Sequence, residues 1–170
     1  MKKVIIINGA PGSGKSHYVN ERAKAGDIVL DLDRINEAIS PGSGLYQDAE
    51  PVLAVSLEMR KAFLAAIKER LGKWNTAYVI SSTPQKAALD ELAESLGAEV
   101  VSMPVSLETC ISNIAGDDRR TDKDAHIQRA VKWYEEHDSG DHEAEPEEET
   151  PPARDPWKEF VANFSMDAFM

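Results

Sequence analysis

Residues 4–16 read Val-Ile-Ile-Ile-Asn-Gly-Ala-Pro-Gly-Ser-Gly-Lys-Ser, an apolar β-branched run followed by a glycine-rich segment. The last eight residues match the pattern G-x-x-x-x-G-K-[ST] in full. The β-branched run is typical of a strand buried on both faces. No Pro or Gly interrupts the chain from Lys15 to Lys24, so a helix can follow. A strand, a glycine-rich turn and a helix form the context in which this pattern acts as a phosphate-binding loop, or P-loop.

The glycine-rich segment has the residue types that binding a polyphosphate requires. Gly9, Gly12 and Gly14 let the backbone adopt positive φ and approach a ligand closely. Successive N–H groups then form an anion-binding nest at the N-terminus of the following helix. The ammonium of Lys15 can reach the β- and γ-phosphates as a catalytic residue, and the hydroxyl of Ser16 can bind Mg²⁺. We therefore expect ATP and Mg²⁺ as cofactors, and a nucleotide-binding segment made of Gly9, Ala10, Pro11, Gly12, Ser13, Gly14, Lys15, Ser16 and His17.

Beyond the P-loop, apolar strands alternate with amphipathic helices. The predicted order is β-α-β-α-α-β-α-β-α-α, with strands over 3–8, 28–32, 77–81 and 99–103. Helices are predicted over 15–24, 33–40, 51–71, 83–97 and 106–114 and from 121 onward, with Thr83 as the N-cap of the fourth. This alternation is typical of an α/β fold of the P-loop NTPase class, a three-layer sandwich with helices on both faces of a parallel sheet of about four to five strands. Ligands bind such sheets at the carboxyl ends of the strands, a position shared by Asn8, Asp31, Asp33, Ser81 and Ser82.

The charge of the chain is concentrated in its last segment. Residues 1–137 hold 17 Lys/Arg and 20 Asp/Glu, a net charge of −3, whereas residues 138–170 hold 2 and 10, a net charge of −8. We therefore predict a P-loop domain over 1–137 and an acidic disordered linker over 138–156. Apolar side chains at positions 157, 160, 161 and 164 predict a short amphipathic helix over 157–170. That helix docks either on the protein's own body or on a protein partner.

The composition indicates which cellular compartment and which classes of partner to expect. No run approaches the roughly 18 apolar residues of a membrane span. Because a strand is predicted from residue 3 onward, we expect no signal peptide. The single cysteine, Cys110, excludes an internal disulfide and is expected to be a small buried side chain. We expect a cytoplasmic protein that does not bind membranes. Because neither part has the basic surface of a duplex-binding protein, the expected partners are small molecules or nucleic-acid ends.

A P-loop alone fits hydrolysis, signalling and phosphoryl transfer. No Asn-Lys-x-Asp guanine signature follows a later strand, and the third strand ends in Ser81-Ser82-Thr83 without the acid pair of motor ATPases. Asp31 and Asp33 end the second strand and face the P-loop. Asp33 is placed to act as the catalytic base toward an acceptor hydroxyl, or as an indirect Mg²⁺ ligand, and an N-cap role fits the same position. Asp31 is expected to contact the substrate.

A pair of arginines lies between two predicted helices. Arg119 and Arg120 fit a lid that closes over ATP and places a guanidinium on the transferring phosphate, and they also fit a solvated surface pair beside Asp117 and Asp118. We treat both as catalytic candidates, and Arg34 as a contact to the acceptor or to phosphate. The four histidines, at positions 17, 126, 137 and 142, have no metal-binding spacing. The P-loop motif makes Ser16 the predicted metal ligand.

Taken together, these segments resemble small P-loop kinases of the AAA_33 type, especially the bacteriophage polynucleotide kinase-like type. The resemblance spans about residues 2–137 and depends on 9–16, 30–34, 78–83 and the Arg119-Arg120 lid followed by Trp133-Tyr134. It implies a phage or prophage origin, a role for Asp33 in activating the acceptor hydroxyl, and contacts from Arg119 and Arg120 to ATP.

Two functions are compatible with these observations. The first is ATP- and Mg²⁺-dependent transfer of a phosphoryl group to a hydroxyl or phosphate of a nucleoside, a nucleotide or a nucleic-acid end. The second is a nucleotide-dependent interaction protein, a phage accessory protein that recruits a partner through its C-terminal tail. Two departures from the family pattern motivate the second: Asn36 stands where the family has Arg, and Ser82 where polynucleotide kinases have Asp.

Overall fold

The computed structural model describes residues 2–40, 44–46 and 50–139. Within these residues, four strands and six helices follow one another in the predicted order. Their bounds are β1 Lys3–Asn8, α1 Lys15–Arg22, β2 Ile28–Leu30, α2 Leu32–Ile39, α3 Leu53–Lys68, β3 Thr76–Ser81, α4 Lys86–Leu96, β4 Glu99–Ser102, α5 Leu107–Ala115 and α6 Lys123–Ser139.

The strands form one parallel sheet in the order β2-β3-β1-β4. β1 is central: it pairs with β3 from Lys3 opposite Thr76 to Asn8 opposite Ser81, and with β4 along its second half. β2 lies on the far side of β3. Because all strands run in one direction, the loops that follow β1 and β2 lie at the same edge of the sheet, with the end of β3 between them.

Side chains of β1 alternate between two apolar layers, as the pleat of a strand requires. Val4 and Ile6 belong to a core cluster that includes Ile67 from α3 and Leu89 and Leu96 from α4. On the other face, Ile7 packs in a cluster with Val19 of α1. Helices therefore cover both faces, and the predicted three-layer α/β architecture is confirmed.

A third cluster lies beneath the P-loop. Cys110 and Ile114 of α5 and Ala130 of α6 are fully buried against Ala10. Cys110 is a small buried side chain, as predicted, and Tyr134 of α6 donates a hydrogen bond from its hydroxyl to the carbonyl oxygen of Val105. The α5–α6 pair thus forms the floor on which the phosphate-binding segment rests.

The second strand is shorter than predicted. β2 ends at Leu30, and α2 begins at Leu32, because Asp31 takes extended dihedral angles and its Oδ1 accepts a hydrogen bond from the backbone N–H of Asp33. The N-cap role considered for Asp33 therefore belongs to Asp31. Asp33 lies in the first turn of the helix instead.

The predicted cap of the fourth helix is also wrong. Gln85 is the N-cap residue of α4, not Thr83. Thr83 instead forms two backbone hydrogen bonds to the side chain of Asn8. Its N–H donates to Asn8 Oδ1 at 2.9 Å, and its carbonyl oxygen accepts from Asn8 Nδ2 at 2.9 Å. This two-way contact ties the loop after β3 to the end of β1, beside the P-loop.

Three further helix bounds differ from the predictions. α1 ends at Arg22 rather than at residue 24, and α6 continues to Ser139, past the predicted domain boundary at 137. α3 ends at Lys68 rather than at residue 71, because Arg70 has a left-handed φ of 55° and Leu71 N–H turns back to the carbonyl oxygen of Ala66. Such a turn satisfies the last carbonyls of a helix.

Most of the predicted acidic linker and all of the predicted C-terminal helix lie outside the described residues. Among the described helices, none is both long enough and apolar enough to cross a bilayer.

Candidate active site

The P-loop connects β1 to α1, and its glycines are required for two different reasons. Gly12 and Gly14 have φ of 81° and 86°, in the left-handed region that favours glycine. Gly9 does not have positive φ, contrary to the prediction. A Cβ at Gly9 would lie 2.7 Å from Ser13 Oγ and 3.0 Å from Met103 Cβ, so close packing requires glycine there.

Lys15 is the first residue of α1 and is almost completely buried. Its Nζ donates hydrogen bonds to the carbonyl oxygens of Gly9 at 2.7 Å and Ala10 at 2.8 Å. Burial lowers the pKa of Lys15 to about 8, while the nearby charges of Asp33 and Asp31 act in the opposite direction. The ammonium is thus held by carbonyl oxygens of the P-loop itself, where it is poorly solvated and has no carboxylate of the described residues bonded to it. This setting suits a group that must bind an incoming polyanion.

The hydroxyl of Ser16 lies next to a carboxylate. Ser16 Oγ donates to Asp31 Oδ2 over 3.3 Å, while the other oxygen of Asp31 caps α2. Hydroxyl and carboxylate oxygens are the ligands that Mg²⁺ accepts, together with water and substrate phosphates. The pair therefore fits a magnesium ion. Among the described residues, no cluster of three or more His, Cys, Asp or Glu is arranged to hold a metal.

Asp33 lies on α2 with its carboxyl half-buried at the same edge of the sheet. Burial raises the pKa of Asp33, and the negative charge of Asp31 raises it further. The cationic groups of Arg120, Lys15 and Arg129 lower it to a smaller extent. A carboxylate whose pKa is moved toward neutrality, close to the P-loop lysine and to an arginine, has the electrostatic setting of a general base.

The predicted lid is anchored by one carboxylate. Arg119 donates from Nε to Asp117 Oδ1 at 2.7 Å and from Nη2 to Oδ2 at 3.0 Å, and Arg120 Nε lies 3.3 Å from Asp117 Oδ2. The side chain of Arg119 is 65% exposed, whereas that of Arg120 is 10% exposed. The two residues are therefore not equivalent: Arg120 is built into the site, and Arg119 lies at its rim.

Arg120 also contacts two residues of the pocket wall. Its Nη1 lies 2.9 Å from His126 Nδ1, and its guanidinium carbon is 4.0 Å from the centroid of the Tyr46 ring. Burial and the charge of Arg120 lower the pKa of His126, so a neutral imidazole accepts this hydrogen bond near neutral pH. Tyr46 has a left-handed φ of 69°. The aromatic ring and the imidazole fix the guanidinium that faces Asp33.

The other predicted residues lie at the rim. Arg34 is exposed, donates from Nη2 to Asn20 Oδ1 at 3.0 Å and lies 3.9 Å from Asp31. His17 is exposed and pairs with Glu21 over 3.2 Å.

One cavity of about 880 Å³ joins these groups. P-loop residues from Pro11 to His17, apart from Ser13, line one side of it, and the ends of β2 and β3 and the residues of the lid line the rest. Ser81, Ser82 and Thr83 lie at the end of β3, and Ser81 Oγ is 2.8 Å from Thr83 Oγ1. The structure thus brings Lys15, Ser16, Asp31, Asp33, Arg34, Arg119 and Arg120 to a single pocket.

Several residues of this pocket were not among the predicted site residues. Tyr46 follows the sequence Pro-Gly-Ser-Gly at 41–44, where no periodic pattern gives a signal. Asn113 on α5 donates from Nδ2 to the carbonyl oxygen of Gly12 at 2.9 Å, a long-range contact that no local pattern reveals. Arg60 does have a signal: positions 53, 57, 60, 64 and 67 follow one helical stripe, and Arg60 is its only charged member. Arg129 of α6 also lines the pocket.

Comparison with known proteins assigns the family. The model of the AAA_33 family, described as an AAA domain, matches residues 4–137. The chain belongs to the AAA_33 family. The match contains β1, the P-loop, Asp31 and Asp33, the lid and most of α6. No curated protein sequence matches the chain.

Two solved structures show the same fold for this AAA_33 chain. The Pnkp1/Rnl/Hen1 RNA repair complex matches with a TM-score of 0.51 and 14% identity, over 79% of this chain and 45% of that one. Shikimate kinase from Acinetobacter baumannii in complex with shikimate matches with a TM-score of 0.51 and 16% identity, over 95% of this chain and 92% of that one. The chain thus spans less than half of the matched chain of the repair complex and nearly all of shikimate kinase.

Proposed function

We propose that this AAA_33 protein transfers the γ-phosphoryl group of ATP, with Mg²⁺, to a hydroxyl or phosphate of a nucleoside, a nucleotide or a nucleic-acid end. The proposal depends on one observation above all: the P-loop lysine, a half-buried carboxyl and a buried lid arginine line the same cavity. The charges of Lys15 and Arg120 both act on the pKa of Asp33. Membership of the AAA_33 family and a fold shared with shikimate kinase support it.

On the donor side, the P-loop amides and Lys15 bind the β- and γ-phosphates. Lys15 exchanges its bonds to the carbonyl oxygens of Gly9 and Ala10 for bonds to phosphate oxygens. Ser16 and Asp31 would hold Mg²⁺, which neutralises phosphate charge when it is bound. Arg120, held by Asp117 and His126, supplies a guanidinium for the charge that develops on the transferred group.

On the acceptor side, Asp33 acts as the base for a hydroxyl. The acceptor oxygen forms a bond to the γ-phosphorus while the bond from that phosphorus to the β–γ bridging oxygen breaks, and the hydroxyl proton passes to the Asp33 carboxylate. ADP leaves with the electron pair of the broken bond. The raised pKa of Asp33 makes it a stronger base than an exposed aspartate, which favours this role.

Labelled ATP tests the proposal. The protein is incubated with Mg²⁺, ATP labelled in the γ-phosphate, and a panel of nucleosides, nucleoside monophosphates and oligonucleotides with free 5′-hydroxyl ends. We expect label on at least one acceptor, and its loss in Lys15→Met but not in Lys24→Met, an exposed lysine outside the pocket. Transfer at the wild-type rate by Lys15→Met would rule the proposal out.

The alternative is a nucleotide-dependent interaction protein of phage or prophage origin that recruits a partner through its C-terminal tail. One observation favours it: the end of β3 presents the hydroxyls of Ser81 and Thr83, hydrogen-bonded to each other, and no carboxylate. On this alternative the panel stays unlabelled, the protein still binds ATP, and deletion of residues 140–170 removes a partner captured in the presence of ATP.

A further inference from the structure

The cationic side chains of the pocket differ in whether the protein itself neutralises them. Lys15 donates to two carbonyl oxygens, Arg34 lies near Asp31 and Asn20, and Arg119 and Arg120 share Asp117. Two pocket arginines remain, Arg60 and Arg129. Neither has an ion pair or a hydrogen bond within residues 2–40, 44–46 and 50–139.

Arg60 is the more informative of the two because it is not freely solvated. It lies on α3, which packs against α2, the helix that carries Asp33. Its side chain is half-buried at the cavity wall, and burial alone lowers its pKa. Its position in the apolar stripe of α3 aims it at the interior rather than at solvent. Arg129 of α6 is exposed, and its charge reaches Asp33.

A half-buried guanidinium with no counter-charge is costly for a folded protein. It is common where an anionic ligand completes the pairing, because the planar fork matches the two oxygens of a carboxylate or a phosphate. The triphosphate of ATP already has partners in the P-loop amides, Lys15 and the lid. Arg60 and Asp33 line the same pocket from two helices that contact each other, α3 and α2, and we therefore place Arg60 on the side where the acceptor would bind.

We propose that the acceptor carries an anionic group, a phosphate ester or a carboxylate, and that Arg60 binds this group while the acceptor hydroxyl faces Asp33. Arg129 adds a second, solvent-exposed cation on the same side. The inference rests on the proposed phosphoryl transfer only in taking the ligand beside Asp33 to be the acceptor. It makes Arg60 the residue that selects acidic acceptors over neutral ones.

Binding of two small anions, compared with an uncharged molecule of the same shape as one of them, tests the proposed anion site at Arg60 directly. The full chain is saturated with Mg²⁺ and a non-hydrolysable ATP analogue so that the P-loop is filled. Ligand-observed NMR then measures binding of inorganic phosphate, of acetate and of acetamide, which has the shape of acetate without its charge. We expect at least one anion to bind and acetamide not to bind, and the preferred anion tells a phosphate ester from a carboxylate.

Substitutions on α3 assign the binding to one residue. Arg60→Met should weaken anion binding about 10- to 100-fold, and Arg60→Lys should weaken it less, because the charge is kept and the fork is lost. Lys68→Met removes one charge from the exposed side of the same helix and should leave binding unchanged. Melting temperatures of all variants show whether each is folded.

The inference is overturned if neither anion binds, if acetamide binds as tightly as the preferred anion, or if anion binding survives Arg60→Met. Its failure is distinct from that of the proposed function. Unlabelled acceptors together with Arg60-dependent anion binding would reject phosphoryl transfer and keep the anion site. Labelled neutral acceptors, with a rate insensitive to Arg60→Met, would do the reverse.

Discussion

At the scale of single residues, Lys15 has two sets of competing partners. In the ligand-free protein its ammonium is bonded to the carbonyl oxygens of Gly9 and Ala10, and burial lowers its pKa to about 8. A bound polyphosphate would favour the charged form and raise that pKa. Binding of ATP and protonation of Lys15 are therefore linked, each promoting the other.

This linkage predicts how the affinity for ATP depends on pH. Below pH 8, Lys15 is already charged and the affinity should be flat. Above pH 8, binding must first protonate the amine, so Kd should rise by about tenfold between pH 7 and pH 9. Isothermal titration calorimetry with Mg²⁺ over this range gives the dependence. Lys15→Met should bind weakly at every pH, without the rise. The same slope in that variant would assign the titration to another group.

Asp33 gives a second prediction at this scale. Asp33→Asn keeps the shape and removes the base, so kcat should fall by about 10²- to 10⁴-fold while the Kd for ATP changes little. Because the pKa of Asp33 is raised, the acidic limb of the wild-type rate profile should lie above the range of an ordinary aspartate.

The control for Asp33 is Asp90→Asn, on the exposed face of α4. It should keep both the rate and the acidic limb. Steady-state kinetics from pH 4 to pH 8 separate the two variants, and a full rate in Asp33→Asn would remove this residue from the chemistry.

At the scale of elements, the P-loop is shaped by the helices below it as much as by its own sequence. A Cβ at Gly12 would lie 2.6 Å from the carbonyl oxygen of Cys110 and 2.8 Å from Ile114 Cγ1, both on α5. At Gly14 the nearest atom is Met103 Cε at 4.0 Å. Both glycines have a left-handed φ, so they share the backbone cost of substitution and differ in packing.

The difference predicts unequal effects of alanine at the two positions. Gly14→Ala should lower the free energy of unfolding by about 1 kcal/mol, the cost of a left-handed alanine. Gly12→Ala should lower it by about 2 to 4 kcal/mol, because the loop or α5 must also move. Urea denaturation followed by circular dichroism measures both values. Equal losses would mean that α5 does not support the loop as tightly as the contacts indicate.

At the scale of the whole molecule, residues 2–40, 44–46 and 50–139 supply the sheet, three apolar clusters and the lining of the pocket. Residues 138–170 carry −8 of the net charge of −11. We therefore expect the described part of the chain to fold and bind nucleotide by itself.

Truncation after Ser139 tests this expectation. The melting temperature should change by less than about 2 °C, and the Kd for ATP by less than about twofold, since no described core contact is removed. Differential scanning calorimetry and nucleotide titration of the two forms give the comparison. A drop of 5 °C or more would show that the tail docks on the body of its own chain.

Local pattern predicted the order of all ten described elements and some of the residues that line the pocket, such as Lys15, Asp33 and Arg120. Apolar periodicity and the P-loop motif act over a few residues, and both are present in the sequence. Most of the errors lie where a distant group decides. Thr83 is hydrogen-bonded to the distant Asn8, so it does not cap α4. The other cap error is local: Asp31, two residues earlier in the chain, caps α2 in place of Asp33. Tyr46 and Asn113 reach the pocket through tertiary contacts that sequence spacing does not encode.

The packing of α5 beneath the P-loop also provides a natural reporter. The sole thiol of the chain, Cys110, has no exposed surface, and its Sγ lies 3.7 Å from the Tyr134 hydroxyl. A thiol-reactive dye can reach it only when the loop and the α5–α6 pair part. Because nucleotide would bind only the closed form, saturating ATP should slow labelling by the factor 1 + [ATP]/Kd. The labelling rate of this one natural thiol would thus measure how often the P-loop separates from the α5–α6 pair, with no engineered probe in the protein.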